Sequence, residues 1–392
     1  MQISYTPEHE RLRSELRAYY DELLTPEVAA EVSRSEGIGP VPRRIVRQMA
    51  SDGWLGIGWP TEYGGQGRGF VEQFIFFDES MRAGAPVPML TINSVAPTIM
   101  KYGSAEQKAF FLPKILNGEI HFSIGYTEPD AGTDLASLRT RAVLDGDEWV
   151  INGQKIFTSL ATDADYIWLA VRTDDSARKH RGISVIIVPT SAAGFKAVPI
   201  RNFGNFNTNT TYFEDVRVPA TNLVGELHGG WGLIVEQLNH ERVTICSSGI
   251  LERALDDVRA YAQATEQADG RRLVDEPWVQ HDLAWIHARL DVLRMMNWRV
   301  AWKAEQGYSL DPAEASSIKV YGTELYMESL RRLLEIIGPL AGVRDGSPAA
   351  VLGGRIATQL RGLHVLTFGG GTNEMQRDLI AVFGLGLPGS AR

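Results

Sequence analysis

The order of textures along the chain limits its fold more than any single residue does. Leu12, Leu16, Tyr19, Tyr20, Leu23 and Leu24 recur at helical spacing after Thr6-Pro7, a plausible helix start. The segments "EQFIFFDESMRA" and "SAEQKAFFLPKILNG" carry the same pattern. Near residue 120 the pattern changes. "EWVINGQKIFTS", "DYIWLAVRT", "GISVIIVPT", "FKAVPI" and "TTYFEDVRVP" are short, rich in Val, Ile, Tyr and Thr, and bounded by Gly, Asn, Asp or Pro. Closely spaced strands without helices between them predict an antiparallel sandwich or barrel. From Gly232 the helical texture returns, and "WGLIVEQLNHERVTICSSGILERALDDVRAYAQATEQ" is its longest run. The chain is therefore expected to divide into a helical unit (1–120), a β module (121–228) and a second helical unit (229–392).

A chain of 392 residues can give each unit its own core, and 44% hydrophobic with 22% charged residues is ordinary globular composition. A net charge of -9 disfavours a general nucleic-acid or acidic-membrane partner. The one basic block, "RKHRG" from Arg178 to Gly182, reads either as a solvated loop or as an anion site. A single cysteine, Cys246, excludes an intramolecular disulfide and argues against a cysteine-built metal centre, so no metal is expected. The N-terminus lacks a basic region followed by an apolar core, and no stretch reaches the ~20 apolar residues of a membrane span. A cytoplasmic location is the expectation.

Several motifs offer chemistry. In "YTEPDAGTDLASL", Pro129, Asp130 and Gly132 force a tight turn, while Thr127 and Thr133 place hydroxyls beside exposed backbone amides. "WPTEYGGQGRG" contains Gly65, Gly67 and Gly69 at alternate positions, but no strand precedes it as a dinucleotide loop requires. In "HVLTFGGGTNEMQRDLIA", three adjacent glycines are costly to order and imply close backbone approach. Thr372 or Asn373 can then cap the helix that follows. In "QLNHERV", Ile234, Leu238, Glu241 and Ile245 fall at i, i+4, i+7 and i+11, which puts the Glu241 carboxylate on an apolar helix face. No basic residue lies three or four positions away. Such a carboxylate either sits in a cleft with a shifted proton affinity or meets a cation such as Arg242 in a structural pair. His240 falls on a different face and reads as structural.

Taken together and in this order, "WPTEYGGQG", "YTEPDAGTDLASL", "INGQKIFTS" and "GGGTNEMQRDLIA" resemble the acyl-CoA dehydrogenase family over nearly the whole chain. The resemblance implies an α+β multidomain fold: an N-terminal helical domain, a central antiparallel β-domain and a C-terminal four-helix bundle, with FAD between them. It also implies α,β-dehydrogenation of an acyl-CoA, in which a carboxylate takes the α proton as the β hydride passes to flavin N5. Carried over by motif, Tyr126, Thr127, Gly132 and Thr133 lie along the flavin and its phosphates, and Phe157 and Ser159 flank the ring. Thr372 and Glu374 approach the cofactor again. Many relatives have Trp where this chain has Phe157, so an aromatic face survives with less area. The substrate contacts implied are Thr133, Asn239, Arg242, Gly370 and Gly371.

Two departures sharpen this reading. Where many relatives keep the base, this chain has Gly370, which cannot take a proton but can donate its N–H to a thioester oxygen. A minority of the family carry the base in a Leu-x-x-Glu-Arg stretch, matched here by Leu238 to Arg242, so Glu241 becomes the expected base. Secondly, family homotetramers complete each FAD site with an Arg and a Gln-x-x-Gly-Gly turn from a neighbouring subunit. Here the Arg position is Thr265, with Arg271 and Arg272 further on, while Glu335 and Pro339 replace the Gln and the second Gly. A pyrophosphate would be repelled by Glu335 rather than held. The pattern resembles the α-type subunit of actinobacterial α2β2 enzymes acting on steroid side chains in cholesterol catabolism, paired with a β-type paralogue and passing electrons to electron-transfer flavoprotein or a similar acceptor. A homotetrameric short- or branched-chain dehydrogenase, an acyl-CoA oxidase and a silent partner subunit are the alternatives.

Overall fold

The computed structural model describes residues 5–389 apart from 36, 178, 205 and 245; for residues 239–244 it describes the backbone alone. Helices α1 (Pro7–Leu23), α2 (Pro26–Arg34), α3 (Pro40–Ser51), α4 (Phe70–Ala83), α5 (Ala96–Tyr102) and α6 (Ala105–Leu116) form the first unit. The Thr6-Pro7 start is real: the Thr6 hydroxyl accepts from the His9 amide in a capping box. Leu12, Leu16 and Tyr20 turn inward as their spacing predicts, whereas the Tyr19 hydroxyl bonds Asp52 near the surface. The Gly65–Gly69 stretch follows a single helical turn, Thr61–Tyr63, not a strand. Gly65 is needed there for packing, since a Cβ would fall 2.2 Å from the Trp59 carbonyl oxygen.

In the middle of the chain the described residues form eight strands: β1 (Phe122–Gly125), β2 (Arg141–Asp145), β3 (Glu148–Lys155), β4 (Tyr166–Arg172), β5 (Ile183–Pro189), β6 (Phe195–Pro199), β7 (Asn209–Pro219) and β8 (Leu223–Val224). They form one sheet in the order β6-β7-β3-β2-β4-β5-β8, with β1 on β4. Most pairings are antiparallel, as the strand spacing predicts, but β4 pairs in parallel with both β1 and β2. Both faces of β4 are covered. Trp168 and Ala170 join the core shared with the first helical unit, while Ile167, Leu169 and Val171 pack on the other side with Trp149, Val188 and Phe213.

The second helical unit comprises α7 (Gly230–Thr244), α8 (Gly249–Ala264), α9 (Pro277–Glu305), α10 (Pro312–Ile337), α11 (Arg355–Leu363) and α12 (Asn373–Leu379). The long helical run of the sequence is therefore two helices, and α9 is longer than either. Asp78 supplies the reason. Its buried carboxylate accepts from the Ser247 and Ser248 hydroxyls, both at 2.7 Å, and from the Gly249 amide at 3.0 Å. Those bonds replace helix bonds at the junction and start α8 afresh. Beside it, buried Glu79 receives Arg13 Nε at 2.9 Å and Arg17 Nε at 2.7 Å, and Arg17 continues to Glu252 on α8 at 2.8 Å. The first helical unit is thus bolted to the bundle next to α7. Among the described residues no helix is long and apolar enough to cross a membrane, and no cluster of three or more His, Cys, Asp or Glu could hold a metal ion.

Candidate active site

Tyr126 follows β1 and is buried at the meeting of sheet and bundle. Its hydroxyl accepts from Trp168 Nε1 at 3.1 Å and donates to Gln237 Oε1 on α7. Its carbonyl accepts from Lys155 Nζ at 3.0 Å, and the same ammonium reaches Glu128 Oε1 at 2.8 Å. Glu128 also takes the amides of Arg139 at 2.6 Å and Thr140 at 2.8 Å. Burial pulls the Lys155 pKa down to about 8, and Glu128 resists that pull. Burial works against the Glu128 charge too, but Lys155 and the Thr140 donors hold its carboxyl below the ordinary range. The pair clamps the 126–128 backbone and leaves Gly132 and Thr133 exposed at the turn.

Phe157 and Ser159 lie next to this loop, because the Ile156 amide donates to the Thr127 carbonyl at 2.8 Å. Phe157 (φ 60°) and Leu160 (φ 63°) are both left-handed, which non-glycine residues rarely adopt. The conformation is fixed from its neighbours: Thr158 is bonded on both sides by Asn209, and the Ser159 carbonyl accepts from Ser123 Oγ at 2.7 Å. The outcome is a phenyl ring 60% exposed beside a loop of hydroxyls and amides.

The glycine run ends one helical segment and lets the next begin, as the sequence implies. A short helical turn, His364–Thr367, stops when the Gly369 amide folds back on the Val365 carbonyl at 2.7 Å. Gly370 (φ 69°) and Gly371 (φ 96°) then take positive φ, and Thr372 caps α12 by accepting from the Met375 amide at 3.2 Å. Glu374 is exposed in the first turn of α12, where its own backbone amide and then the Thr372 hydroxyl lower its pKa. Beneath the turn, Lys319 Nζ donates to the carbonyls of Thr367 at 3.0 Å and Gly371 at 2.7 Å, and to Asn373 Oδ1 at 2.7 Å.

Helix α7 ties the two halves together. Gln237 bonds Tyr126 on one side, and Cys246, just past the helix, lies against α10. The Cys246 thiol faces the Lys319 carbonyl at 3.7 Å, and a Cβ on Gly322 would come within 2.8 Å of Cys246. The backbone of residue 241 lies between these anchor points, one turn beyond Gln237. Ile234 is buried and Leu238 packs on the same core. The side chains of Asn239, His240, Glu241 and Arg242, and all of Ile245 and Arg178, lie outside the described residues. The positions expected to serve a neighbouring subunit are placed as follows. Thr265 ends α8 with its hydroxyl on the Tyr261 carbonyl at 2.7 Å. Arg271 pairs with Asp269 and Glu276, Arg272 with Asp275, and Glu335 and Pro339 are exposed.

The sequence reading missed Lys155, Glu128, Gln237, Asp78 and Lys319. Two of these left a signal: Lys155 shares strand parity with buried Trp149 and Ile151, and Lys319 sits among Ala315, Ile318 and Gly322 on one buried helix face. A lysine at such a position must find acceptors, and those acceptors lie in the 126–128 loop and around the glycine turn.

A hydroxyl-rich loop tied to α7, an exposed ring beside that loop and a glycine turn braced from α10 suit a flavin-dependent oxidoreductase of acyl thioesters. The chain belongs to the acyl-CoA dehydrogenase family: it matches the N-terminal domain over residues 6–119, the middle domain over 123–216 and the C-terminal domain over 228–385. It is 54% identical over 400 residues to the acyl-CoA dehydrogenase FadE26 of Mycobacterium tuberculosis, with 100% of each chain covered. Among solved structures, it is similar to a chain of the ChsE4-ChsE5 complex of Mycobacterium tuberculosis (55% identity, TM-score 0.93, 100% of each chain). It is also similar to a chain of the Tcur3481-Tcur3483 steroid ACAD (49% identity, TM-score 0.94, 100% of each chain). Enzymes of the family depend on FAD. The residues present suit that group: Phe157 offers an aromatic face to a ring, and Thr127, Thr133 and the amides around Gly132 offer donors to phosphate and carbonyl oxygens.

Proposed function

We propose that this chain is the base-bearing subunit of a heteromeric acyl-CoA dehydrogenase acting on a CoA thioester with a bulky polycyclic acyl group, such as a steroid side chain. The observation that carries the reading is the placement of α7. With glycine at position 370, the turn has no proton acceptor of its own. Residue 241 lies on the helix held between the Tyr126 loop and the wall of that turn. Glu241 removes the α proton, and the glycine-turn amides of Gly370 and Gly371 polarise the thioester carbonyl. Asn239, Arg242 and Thr133 contact the CoA portion. Tyr126, Thr127, Gly132, Thr133, Phe157, Ser159, Thr372 and Glu374 hold FAD, which when bound accepts the β hydride. Electron-transfer flavoprotein or a similar carrier takes the electrons onward.

Mixed assembly is supported by the same chain's poor equipment for serving a copy of itself. Arg271 and Arg272 are engaged in local ion pairs, Thr265 has no charge, and Glu335 opposes a phosphate. The two similar complexes named above each join two different subunits, and one is described as a steroid enzyme. Expression alone and with an adjacent paralogous gene tests the assembly; full flavin loading of the lone chain refutes it. Anaerobic flavin bleaching with thioesters from butyryl to steroid side chains tests the substrate. Glu241→Gln is expected to keep FAD and lose at least about 1,000-fold in turnover; an unaffected rate excludes Glu241 as the base.

A further inference from the structure

The fully buried Lys319 lies under the glycine turn, and its three bonds span the turn from Thr367, before the glycines, to Asn373, after them. An ammonium has three N–H donors, and here three oxygens receive them. Lys319 does not act alone. Ser316, Lys319 and Thr323 fall at i, i+3 and i+7 on α10, all fully buried, and all three bond into the 367–376 segment. Ser316 Oγ donates to Gln376 Oε1 at 2.9 Å, which leaves Gln376 Nε2 to donate to the Gly370 carbonyl at 3.4 Å.

Peptide planarity turns these carbonyl contacts into a statement about amides. In a trans peptide the C=O and the following N–H point in opposite directions. Lys319 draws the Gly371 carbonyl toward α10, so the Thr372 N–H faces away from it. Gln376 draws the Gly370 carbonyl inward, so the Gly371 N–H faces away as well. Neither amide has an acceptor among the described residues. Gly370 and Gly371 both have positive φ, a backbone that glycine adopts at little steric cost, so these side-chain bonds are what fix the peptides of the turn. One turn further along the same face, α10 packs Gly322 against Cys246, so the same stretch of helix sets the end of α7.

We infer that Lys319, assisted by Gln376, is a positioning residue that fixes the glycine turn and so holds the Gly370 and Gly371 amides toward the thioester oxygen as negative charge develops there. The inference rests on the proposed dehydrogenase reading. It assigns the electrostatic half of the site to a bundle lysine that touches no substrate. Methionine at 319 keeps the bulk and removes all three donors, leaving the Thr367 and Gly371 carbonyls unsatisfied and the turn free to rotate its peptides.

The test compares wild type and Lys319→Met, each purified with its partner subunit and loaded with FAD. Turnover per bound flavin is expected to fall roughly 10–100-fold with KM within about threefold, since misaimed donors weaken the transition state more than the ground state. Hydrogen–deuterium exchange read by mass spectrometry is expected to speed up across 367–375 and stay unchanged in the β-sheet. A turnover per flavin within twofold of wild type overturns the inference, as does unchanged exchange at the turn. A variant that loses FAD but turns over normally per flavin also overturns it, because the amides would then serve the cofactor alone. If Lys319→Met does not accumulate as folded protein, Asn373→Ala removes one acceptor and is expected to cost roughly 3–10-fold per flavin; no change there overturns the inference equally. A wild-type complex that dehydrogenates no CoA thioester defeats the proposed function, whereas the exchange measurement still decides whether Lys319 anchors the turn.

Discussion

Phe157 combines two costs that a residue of purely structural value would avoid: a left-handed backbone and a ring more than half exposed. A non-glycine residue in that region costs about 1–3 kcal/mol and persists only where its surroundings over-determine it, as the Asn209 and Ser123 bonds do here. Glycine at this position would accept the backbone without strain. Phe157→Gly is therefore expected to leave the thermal midpoint of the FAD-free chain unchanged or raised while weakening FAD binding about tenfold; a large drop in the midpoint would mean that the ring is structural. Gly371 makes the opposite case. At φ 96° a side chain is strained whatever the space around it, so Gly371→Ala is expected to destabilise by about 1–2 kcal/mol and to reduce turnover through the displaced turn. Calorimetry and steady-state rates together check this.

Two strands carry a titratable side chain shielded from water at one end. Lys155 closes β3 against Glu128, and Lys155→Met leaves a carboxylate buried with only amide donors, an expected loss of about 3–5 kcal/mol. The double variant Lys155→Met/Glu128→Gln should recover much of that loss in denaturant melts, because the uncompensated charge is gone. His121, at the entry to β1, is a second case. Burial and then Arg43 depress its pKa to about 4, with Arg47 acting the same way and Asp165 and Asp163 opposing. Its folded pKa lies below the unfolded 6.5, so its contribution is fully present above pH 6.5 and is lost as pH falls toward 4. The amount is up to about 3 kcal/mol. His121→Asn should flatten the pH dependence of the melting temperature across that window. These elements also show what the sequence could disclose. Strand texture, the Thr6 cap and the Thr372 cap follow from local chemistry, and the structure has them where local chemistry puts them. The break between α7 and α8 left only a weak local signal, the poor helix formers Ser247, Ser248 and Gly249. The residue that fixes it, Asp78, lies about 170 positions away in another domain. Likewise the parallel pairing of β1 with β4 is set by the packing of Phe122 and Trp168, not by any local signal.

At the scale of the molecule, the reading is of a subunit whose own flavin loops are intact and whose contribution to a neighbour is not. Sedimentation of the complex should give a four-chain particle with one FAD for every two chains, and one FAD per chain would count against it. The seam between α7 and α10 has a consequence of its own. It seals the molecule's lone sulfhydryl: Cys246 is fully buried, burial pushes its thiol up to about 12, and Asn297 bonds its carbonyl at 2.7 Å. An alkylating reagent can reach that sulfur only when the two helices part, so the unmodified wild-type chain has a built-in clock for breathing beside its proposed catalytic centre. Saturating acyl-CoA should slow that clock, and a loosened glycine turn should make it run faster.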